Sequence, residues 1–108
     1  MSEPSINIIN TISIDESHPA FRGHFPGFSV YPGVAQIEDI CSTLTEHFRR
    51  KTILTKITRT KFLALITPPA TIQITCEVTG DVVVWLISND GAVVCKGTGH
   101  YEFYEGGT

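Results

Sequence analysis

FRGHFPGFSVYPGVAQIE, residues 21–38, is the most informative stretch of this 108-residue chain. It joins a loop rich in glycine and proline to the start of a long amphipathic segment. The loop holds His24, and Glu38 follows Pro32 by about one and a half helical turns. Proline is favoured in the first turn of a helix, so Pro32 predicts where the helix starts. The stretch therefore predicts a loop histidine and a carboxylate, both near a helix N-terminus.

That combination has a possible chemical use. A histidine and a carboxyl group can serve as general base and general acid, and the N–H groups of a helix N-terminus attract developing negative charge. Elimination next to a carbonyl needs all three. A simpler alternative is a surface His24 and a Glu38 that only interacts favourably with the helix dipole. The residues taken by themselves leave both interpretations open.

The helix is predicted to run from about Gly33 to Arg50. Glu38 lies at the edge of its apolar stripe, on the side of Val34 and Thr45, so we expect it to face a partly buried surface. Asp39 lies on the polar side with Thr43, Glu46 and Arg50, so its loss is expected to matter little. The apolar stripe is formed by Val34, Ile37, Ile40, Cys41, Leu44 and Phe48.

Runs rich in Thr, Val and Ile predict the strands around this helix. Pro68-Pro69, Gly80-Asp81 and Asn89-Asp90-Gly91 separate the later runs, and Asp-Gly is a strong hairpin signal. One helix against one antiparallel sheet is an α+β layout in a single domain, with residues 105–108 as a frayed tail. The predicted strands cover residues 5–15, 52–66, 70–79, 81–88 and 91–104.

Composition restricts the class of protein. Hydrophobic residues make up 42% and charged residues 18%, an ordinary globular balance. The chain has no apolar run long enough to span a membrane, and its start does not look like a signal peptide, so a cytoplasmic location is expected. Cys41, Cys76 and Cys95 are far apart among apolar neighbours. They are predicted to be small core residues, with no disulfide or metal site.

The charge is unevenly distributed. Six of the eight Lys and Arg residues fall within positions 49–61, which hold no acidic residue, while the net charge of the chain is −3. A basic segment on an acidic protein suggests docking of an anionic partner, although a solvated helix end and strand face would look the same. Nucleic acid is not expected as a partner, because the overall charge is negative and aromatic and basic residues do not interleave.

The 21–38 stretch resembles a family signature. The β-hydroxyacyl-acyl-carrier-protein dehydratases of the FabZ and FabA type carry roughly GHFPxxPVxPGVxxIE, with histidine and carboxylate fourteen positions apart, as His24 and Glu38 are. Matching residues are His24-Phe25-Pro26, Val30, Pro32-Gly33-Val34 and Ile37-Glu38. Lys61-Phe62, Pro68 and Thr71 resemble a weaker downstream feature. The resemblance covers most of the chain, but only residues 21–38 are highly specific.

Some positions depart from that pattern. Ser29 replaces the usual proline, Pro69 replaces a glycine, and Ser42 stands where the longer enzymes carry glutamine. The missing glutamine leaves substrate length and orientation open. Because the chain starts at the first strand, it is more similar to the short ApeI-like dehydratases of aryl-polyene clusters than to the longer enzymes.

The resemblance implies a hot-dog fold, in which a sheet wraps a long helix, and a homodimer or larger even assembly whose sites combine histidine and carboxylate from different subunits. His24 would remove the α-proton of a 3-hydroxyacyl thioester, and Glu38 would protonate the leaving hydroxyl. The N–H of Gly33 would hold the thioester oxygen, and the Val30 carbonyl would orient the His24 ring. The other residues implied to bind substrate are Phe25, Pro32 and Val34. No metal or redox cofactor is implied.

The same resemblance implies a partner. The acyl group would arrive on the phosphopantetheine arm of an acidic acyl carrier protein, during fatty-acid, polyketide or aryl-polyene synthesis. The basic segment would then dock this carrier protein. Its predicted docking set is Arg49, Arg50 and Lys51 at the helix end, with Arg59 or Lys61 as a further contact. Strand alternation predicts that Lys56 faces the opposite side from these last two.

Two other functions fit the same fold. A hot-dog thioesterase would hydrolyse the thioester, but thioesterases seldom carry the HFP…PG…E arrangement. A catalytically silent acyl-binding domain would not need both His24 and Glu38. The dehydratase is therefore the preferred prediction.

Overall fold

The computed structural model of the chain describes residues 4–21 and 29–105. Within these ranges, one helix packs against a five-stranded antiparallel sheet, which is the predicted layout. The order of strands across the sheet is β1-β3-β4-β5-β2. The elements are β1 (Ile6–Ile14), a 3-10 turn (Pro19–Phe21), α1 (Gly33–Phe48), β2 (Thr52–Phe62), β3 (Ala70–Thr79), β4 (Val82–Asn89) and β5 (Ala92–Phe103).

Two tight hairpins connect β3, β4 and β5. Gly80 has a φ of 59° between β3 and β4, while Asp90 and Gly91 have φ values of 56° and 84° between β4 and β5. Two successive residues with positive φ give the turn twist that suits a right-handed hairpin, which confirms the Asp-Gly prediction. These hairpins bring β3, β4 and β5 together as the centre of the sheet.

The core lies between the sheet and α1. Alternate side chains of β3 point to the helix and are almost fully buried, from Ile72 through Ile74 and Cys76 to Val78. On β4, the Trp85 ring lies over the paired residue of β5, where a Cβ on Gly97 would come within 2.3 Å of it. The buried cysteines Cys76 and Cys95 are core residues, as predicted, whereas Cys41 is only half-buried.

Two element ends differ from the prediction. Helix α1 stops at Phe48 because Arg49 adopts a left-handed conformation with φ of 55°, a common way to end a helix. Strand β2 ends at Phe62, and residues 63–69 then cross towards the start of the helix. Ile66 in this crossing is fully buried.

The face of α1 that packs on the sheet is rotated from the predicted stripe. Val34 was expected in the core but is 67% exposed, whereas Thr43 was expected on the polar side but is 2% exposed. The buried set is Ala35, Gln36, Ile40, Thr43 and Leu44. Asn10 of β1 explains part of the rotation, because its side-chain amide donates to the Thr43 hydroxyl at 3.1 Å. A polar contact thus occupies a position that hydrophobic periodicity assigns to solvent.

The register of β2 also corrects a prediction. Lys56 pairs with His100 of β5, and Lys61 pairs with Lys96, with irregularities between positions 54 and 56 and between 57 and 59. Directly paired residues share a face of the sheet, and each irregularity resets the alternation. Lys56 therefore lies on the same outer face as Arg59 and Lys61, not on the opposite one.

Candidate active site

Helix α1 begins at a tightly fixed point. The N–H of Tyr31 donates to the carbonyl of Ile66 at 2.7 Å, and its own carbonyl accepts the Gln36 side-chain amide at 3.4 Å. The Phe62 ring covers Gly33 so closely that a Cβ there would lie 2.8 Å from the ring. A larger residue at position 33 would therefore have to displace the Phe62 ring. The first N–H groups of a helix have no partner within it, so those of Gly33 and Val34 are available to bind an oxygen.

Glu38 lies in a groove between one side of α1 and the start of β2. The groove has a volume of about 710 Å³. Successive turns of the helix place Val34, Glu38 and Thr45 along it, as the sequence predicts. The other lining residues are Ile37, Cys41, Ser42, Glu46, Lys51 and Ile53. The wall is therefore mixed, with apolar side chains around the carboxylate and a hydroxyl at position 42.

The structure describes only some of the predicted site residues. Val30 and Pro32 are half-buried beside the helix start, and Val34 opens into the groove next to Gly33. His24 and Phe25 lie outside the described residues, so their predicted roles stay predictions. The expected setting of Glu38 is wrong for the single chain, because its side chain is exposed. A helix that packs by its 36–40–44 side leaves the 34–38 side uncovered.

Asp39, not Glu38, is the carboxylate that packs inside the single chain. Its Oδ2 accepts a hydrogen bond of 2.6 Å from the hydroxyl of Tyr31, whose side chain is 2% exposed. The Tyr31 ring also packs edge-on against His18 and Phe21, with ring centroids 5.1 and 6.0 Å away. The expectation that Asp39 sits on a solvated polar face is wrong, because the rotated helix turns it towards this cluster.

The surroundings of Asp39 shift the pKa of its carboxyl group. Burial is the largest influence on Asp39 and raises the pKa of its carboxyl group, and the negative charge of Glu38 acts in the same direction. The Tyr31 hydrogen bond and the charge of His18 oppose the shift without cancelling it. Burial, followed by the hydrogen bond to Asp39, also raises the pKa of the Tyr31 phenol, which stays a hydrogen-bond donor at neutral pH.

A sequence signal for this cluster existed but was weak. Ala35, Asp39 and Thr43 follow each other at a spacing of four, so a small, an acidic and a hydroxyl residue share one line of the helix. The Thr43 hydroxyl donates to the Asp39 carbonyl at 2.8 Å within that line. Nothing in the spacing points to Tyr31, because the contact depends on how the chain approaches the helix.

The predicted docking set at the helix end is partly engaged within the chain. Arg50 donates to the carboxylate of Glu105, and its guanidinium carbon lies 4.1 Å from the centre of the Phe103 ring. Glu105, which was expected in a frayed tail, is thus paired with Arg50. Arg49 and Lys51 are exposed, and Lys51 also lines the groove of Glu38.

A second group of cations lies on the outer face of the sheet. Arg59, Lys61 and Lys96 line a depression of about 410 Å³, with Glu77 as its acidic residue. Lys61 and Lys96 are directly paired across strands, an arrangement of like charges that is unfavourable by itself. The outer face is therefore the second cationic surface of the described residues.

Comparison with known proteins identifies the family. The family model described as ApeI dehydratase, of the ApeI-like group, matches residues 1–98. The chain belongs to the ApeI-like dehydratase family. This membership confirms the resemblance based on residues 21–38.

The ApeI-like chain also matches curated proteins over part of their length. It is 47% identical to the 3-hydroxyacyl-[acyl-carrier-protein] dehydratase FabZ of Campylobacter concisus over 36 residues, which are 33% of this chain and 24% of that protein. The chain spans between 16% and 55% of the length of the first curated relatives it matches.

Solved structures share the fold. The dehydratase heterocomplex ApeI:P from Xenorhabdus doucetiae superposes with a TM-score of 0.78 at 20% identity, over 94% of this chain and 98% of that one. An acyl-CoA hydrolase from Staphylococcus aureus superposes with a TM-score of 0.63 at 14% identity, over 92% of this chain and 63% of that one. The hot-dog fold expected from the resemblance is confirmed.

Among the residues that the structure describes, no helix is both long enough and apolar enough to cross a membrane.

The raised pKa of Asp39 predicts a pH effect on stability. The folded protein holds this proton more tightly than the unfolded chain does, so its contribution to stability is present at about pH 4 and is lost as the pH rises through the raised value. We expect Asp39→Asn, which removes the charge and keeps an acceptor for Tyr31, to be at least as stable as the parent at about pH 7.

Urea unfolding of both proteins from about pH 4 to 7 measures this difference. Taking the difference between parent and variant removes the contributions of other groups, such as Asp15, whose pKa is lowered by its hydrogen bonds from Ser17. A variant whose stability falls below that of the parent as the pH rises would contradict the assignment.

Proposed function

We propose that this ApeI-like protein is a hydro-lyase that converts 3-hydroxyacyl thioesters, carried by an acyl carrier protein, into trans-2-enoyl thioesters. The observation that supports it most is the position of Glu38 on one groove with Val34, directly after the Gly33 helix start. A proton donor and free helix N–H groups can then reach one bound thioester. Family membership supports the same reaction.

The proposed reaction assigns one task to each group. His24 takes the proton from the α-carbon, and the electrons of that C–H bond form the new double bond to C3. The C3–O bond breaks, and the carboxyl group of Glu38 gives its proton to the departing hydroxyl, which leaves as water. The N–H of Gly33 stabilises the negative charge on the thioester oxygen, while the carbonyl of Val30 orients the His24 ring.

The proposed site is shared between two copies of the chain. Large apolar side chains are exposed around the helix start, with Val34 at 67%, Phe62 at 48%, Leu63 at 52% and Leu65 at 71%. Exposed apolar groups gathered at one site are typical of a surface that a partner covers. A homodimer would cover them and remove water from around Glu38, which a general acid at neutral pH requires.

The hydrolase alternative has less support. The S. aureus acyl-CoA hydrolase shares the fold at lower similarity, and a likeness at 14% identity shows the fold alone. The chain carries the dehydratase signature over residues 21–38. We therefore retain dehydration as the proposed reaction.

The acid–base assignment predicts large losses of activity. His24→Ala and Glu38→Ala should each lower turnover by at least about a hundredfold, because a positioned acid or base typically contributes about 10² to 10⁴. Formation of the conjugated enoyl thioester, followed by absorbance, measures the effect. Glu16→Ala, which removes an exposed loop carboxylate, serves as the control and should match the parent. Near-normal turnover of both site variants would refute the mechanism.

The carrier-protein proposal predicts a substrate-dependent effect. Changing Arg49, Arg50 and Lys51 to Glu should slow carrier-bound substrate and flatten its salt dependence, because exposed charges mainly steer association. Each contact is expected to contribute only about 0.2–1 kcal/mol. Since Lys51 also lines the groove, the readout is the ratio of turnover between carrier-bound substrate and a short N-acetylcysteamine thioester.

The outer sheet face provides the matched control for this test. Changing Arg59, Lys61 and Lys96 to Glu alters charge by the same amount on the other cationic surface. If the helix end is the main docking site, its variant lowers the ratio more than the sheet-face variant, which removes only the further contact at Arg59 or Lys61. If only the sheet-face variant lowers it, the docking set is wrong and the carrier uses the sheet. An unchanged ratio in both variants would refute electrostatic docking at either surface.

A further inference from the structure

We infer that Tyr31 and Asp39 form a positioning pair that holds Glu38 and the N–H of Gly33 in register for catalysis; the inference rests on the function proposed above. The Tyr31 hydroxyl donates to Asp39 Oδ2 at 2.6 Å. Tyr31 stands two residues before Gly33, and Asp39 stands directly after Glu38. The hydrogen bond therefore joins the segment that carries one catalytic group to the helical turn that carries the other.

The family signature does not account for this pair. Tyr31 occupies a position where the signature accepts any residue, and Asp39 follows its last position. The two residues are eight apart in sequence, and the phenol and the carboxylate meet in a part-buried setting. A part-buried carboxylate without a hydrogen-bond donor would destabilise the folded protein, and the Tyr31 hydroxyl supplies that donor.

Both members of the pair are anchored on their far sides. The Tyr31 backbone N–H is held by the carbonyl of Ile66, and its ring packs edge-on against His18. The Asp39 carbonyl accepts the Thr43 hydroxyl, which in turn accepts the side-chain amide of Asn10 on β1. These contacts fix the positions of Tyr31 and Asp39, and the two residues together fix the first turns of the helix.

A small displacement at this point matters for the chemistry. Asp39 faces Tyr31, which packs on His18 and Phe21, whereas Glu38 faces the groove. Rotation of the second helical turn would move Glu38 along the groove relative to the N–H of Gly33 at the helix start. Misplacement of a catalytic group by about 1 Å can lower the rate by up to about a hundredfold. The pair is thus suited to control turnover without contacting substrate.

Four variants test the pair. Tyr31→Phe and Asp39→Ala each remove the hydrogen bond, and we expect each to lower kcat by about tenfold with KM within about twofold of the parent. The kcat of the double variant should not fall below that of the more impaired single variant, since both changes break the same interaction. Asp39→Asn keeps an acceptor and should retain most of the parent kcat. Tyr104→Phe removes a hydroxyl from an exposed tyrosine and serves as the control.

Rates are expressed per folded molecule, with the folded fraction taken from urea unfolding of each variant. A purely structural role would lower the folded fraction but leave kcat per folded molecule unchanged, and that result would overturn the inference. Equal losses in Asp39→Asn and Asp39→Ala would also overturn it, because the Asn variant preserves the bond. A double variant with multiplied losses would show that the residues act separately and not as a pair.

Hydrogen–deuterium exchange separates this inference from the proposed function. If the parent forms no enoyl thioester, the proposed function fails whatever the pair does. Exchange of amides within residues 29–39 then still reports the pair, and it should rise in Tyr31→Phe relative to Tyr104→Phe. Unchanged exchange in Tyr31→Phe would show that the hydrogen bond does not fix this segment.

Discussion

The start of helix α1 is the constraint on which the site depends. Gly33 lies under the Phe62 ring, 2.8 Å from where a Cβ would be, and the Tyr31 N–H donates to the carbonyl of Ile66. These contacts fix where the helix begins and the direction in which it runs. Its rotation then decides that Asp39 turns inward to Tyr31 while Glu38 turns to the groove. The two adjacent carboxylates thereby lie in different environments, with Asp39 part-buried and Glu38 exposed on the groove.

Charge distribution follows from the same architecture. Although the net charge is −3, the protein has two cationic surfaces, one at the C-terminal end of α1 and one on the outer face of the sheet. At the helix end, Arg50 is held by Glu105 and Phe103, which leaves Arg49 and Lys51 as the free cations of that set. The irregular register of β2 brings the remaining cations of residues 49–61 onto one face.

Local patterns in the sequence were sufficient for the elements but not for every orientation. Alternation, the Asp-Gly turn and Pro32 predicted the strands, a hairpin and the helix start, because each depends on nearby residues. The rotation of α1 was predicted incorrectly since the polar contacts of Asp39 and Thr43 come from residues on other elements. The side of Lys56 was missed because irregularities in pairing are set by the partner strand. The Arg50–Glu105 pair joins positions 55 residues apart, which no local pattern reveals.

We propose that the protein removes water from a 3-hydroxyacyl thioester and leaves the thioester bond intact. The most direct measurement gives the protein a 3-hydroxyacyl thioester, on a carrier protein and as the N-acetylcysteamine ester. Absorbance of the conjugated enoyl product and free thiol are followed together. We expect enoyl thioester to accumulate without thiol release. Thiol release without enoyl product would show a thioesterase, and binding with neither signal would show a silent acyl-binding domain; either result would rule out a dehydratase.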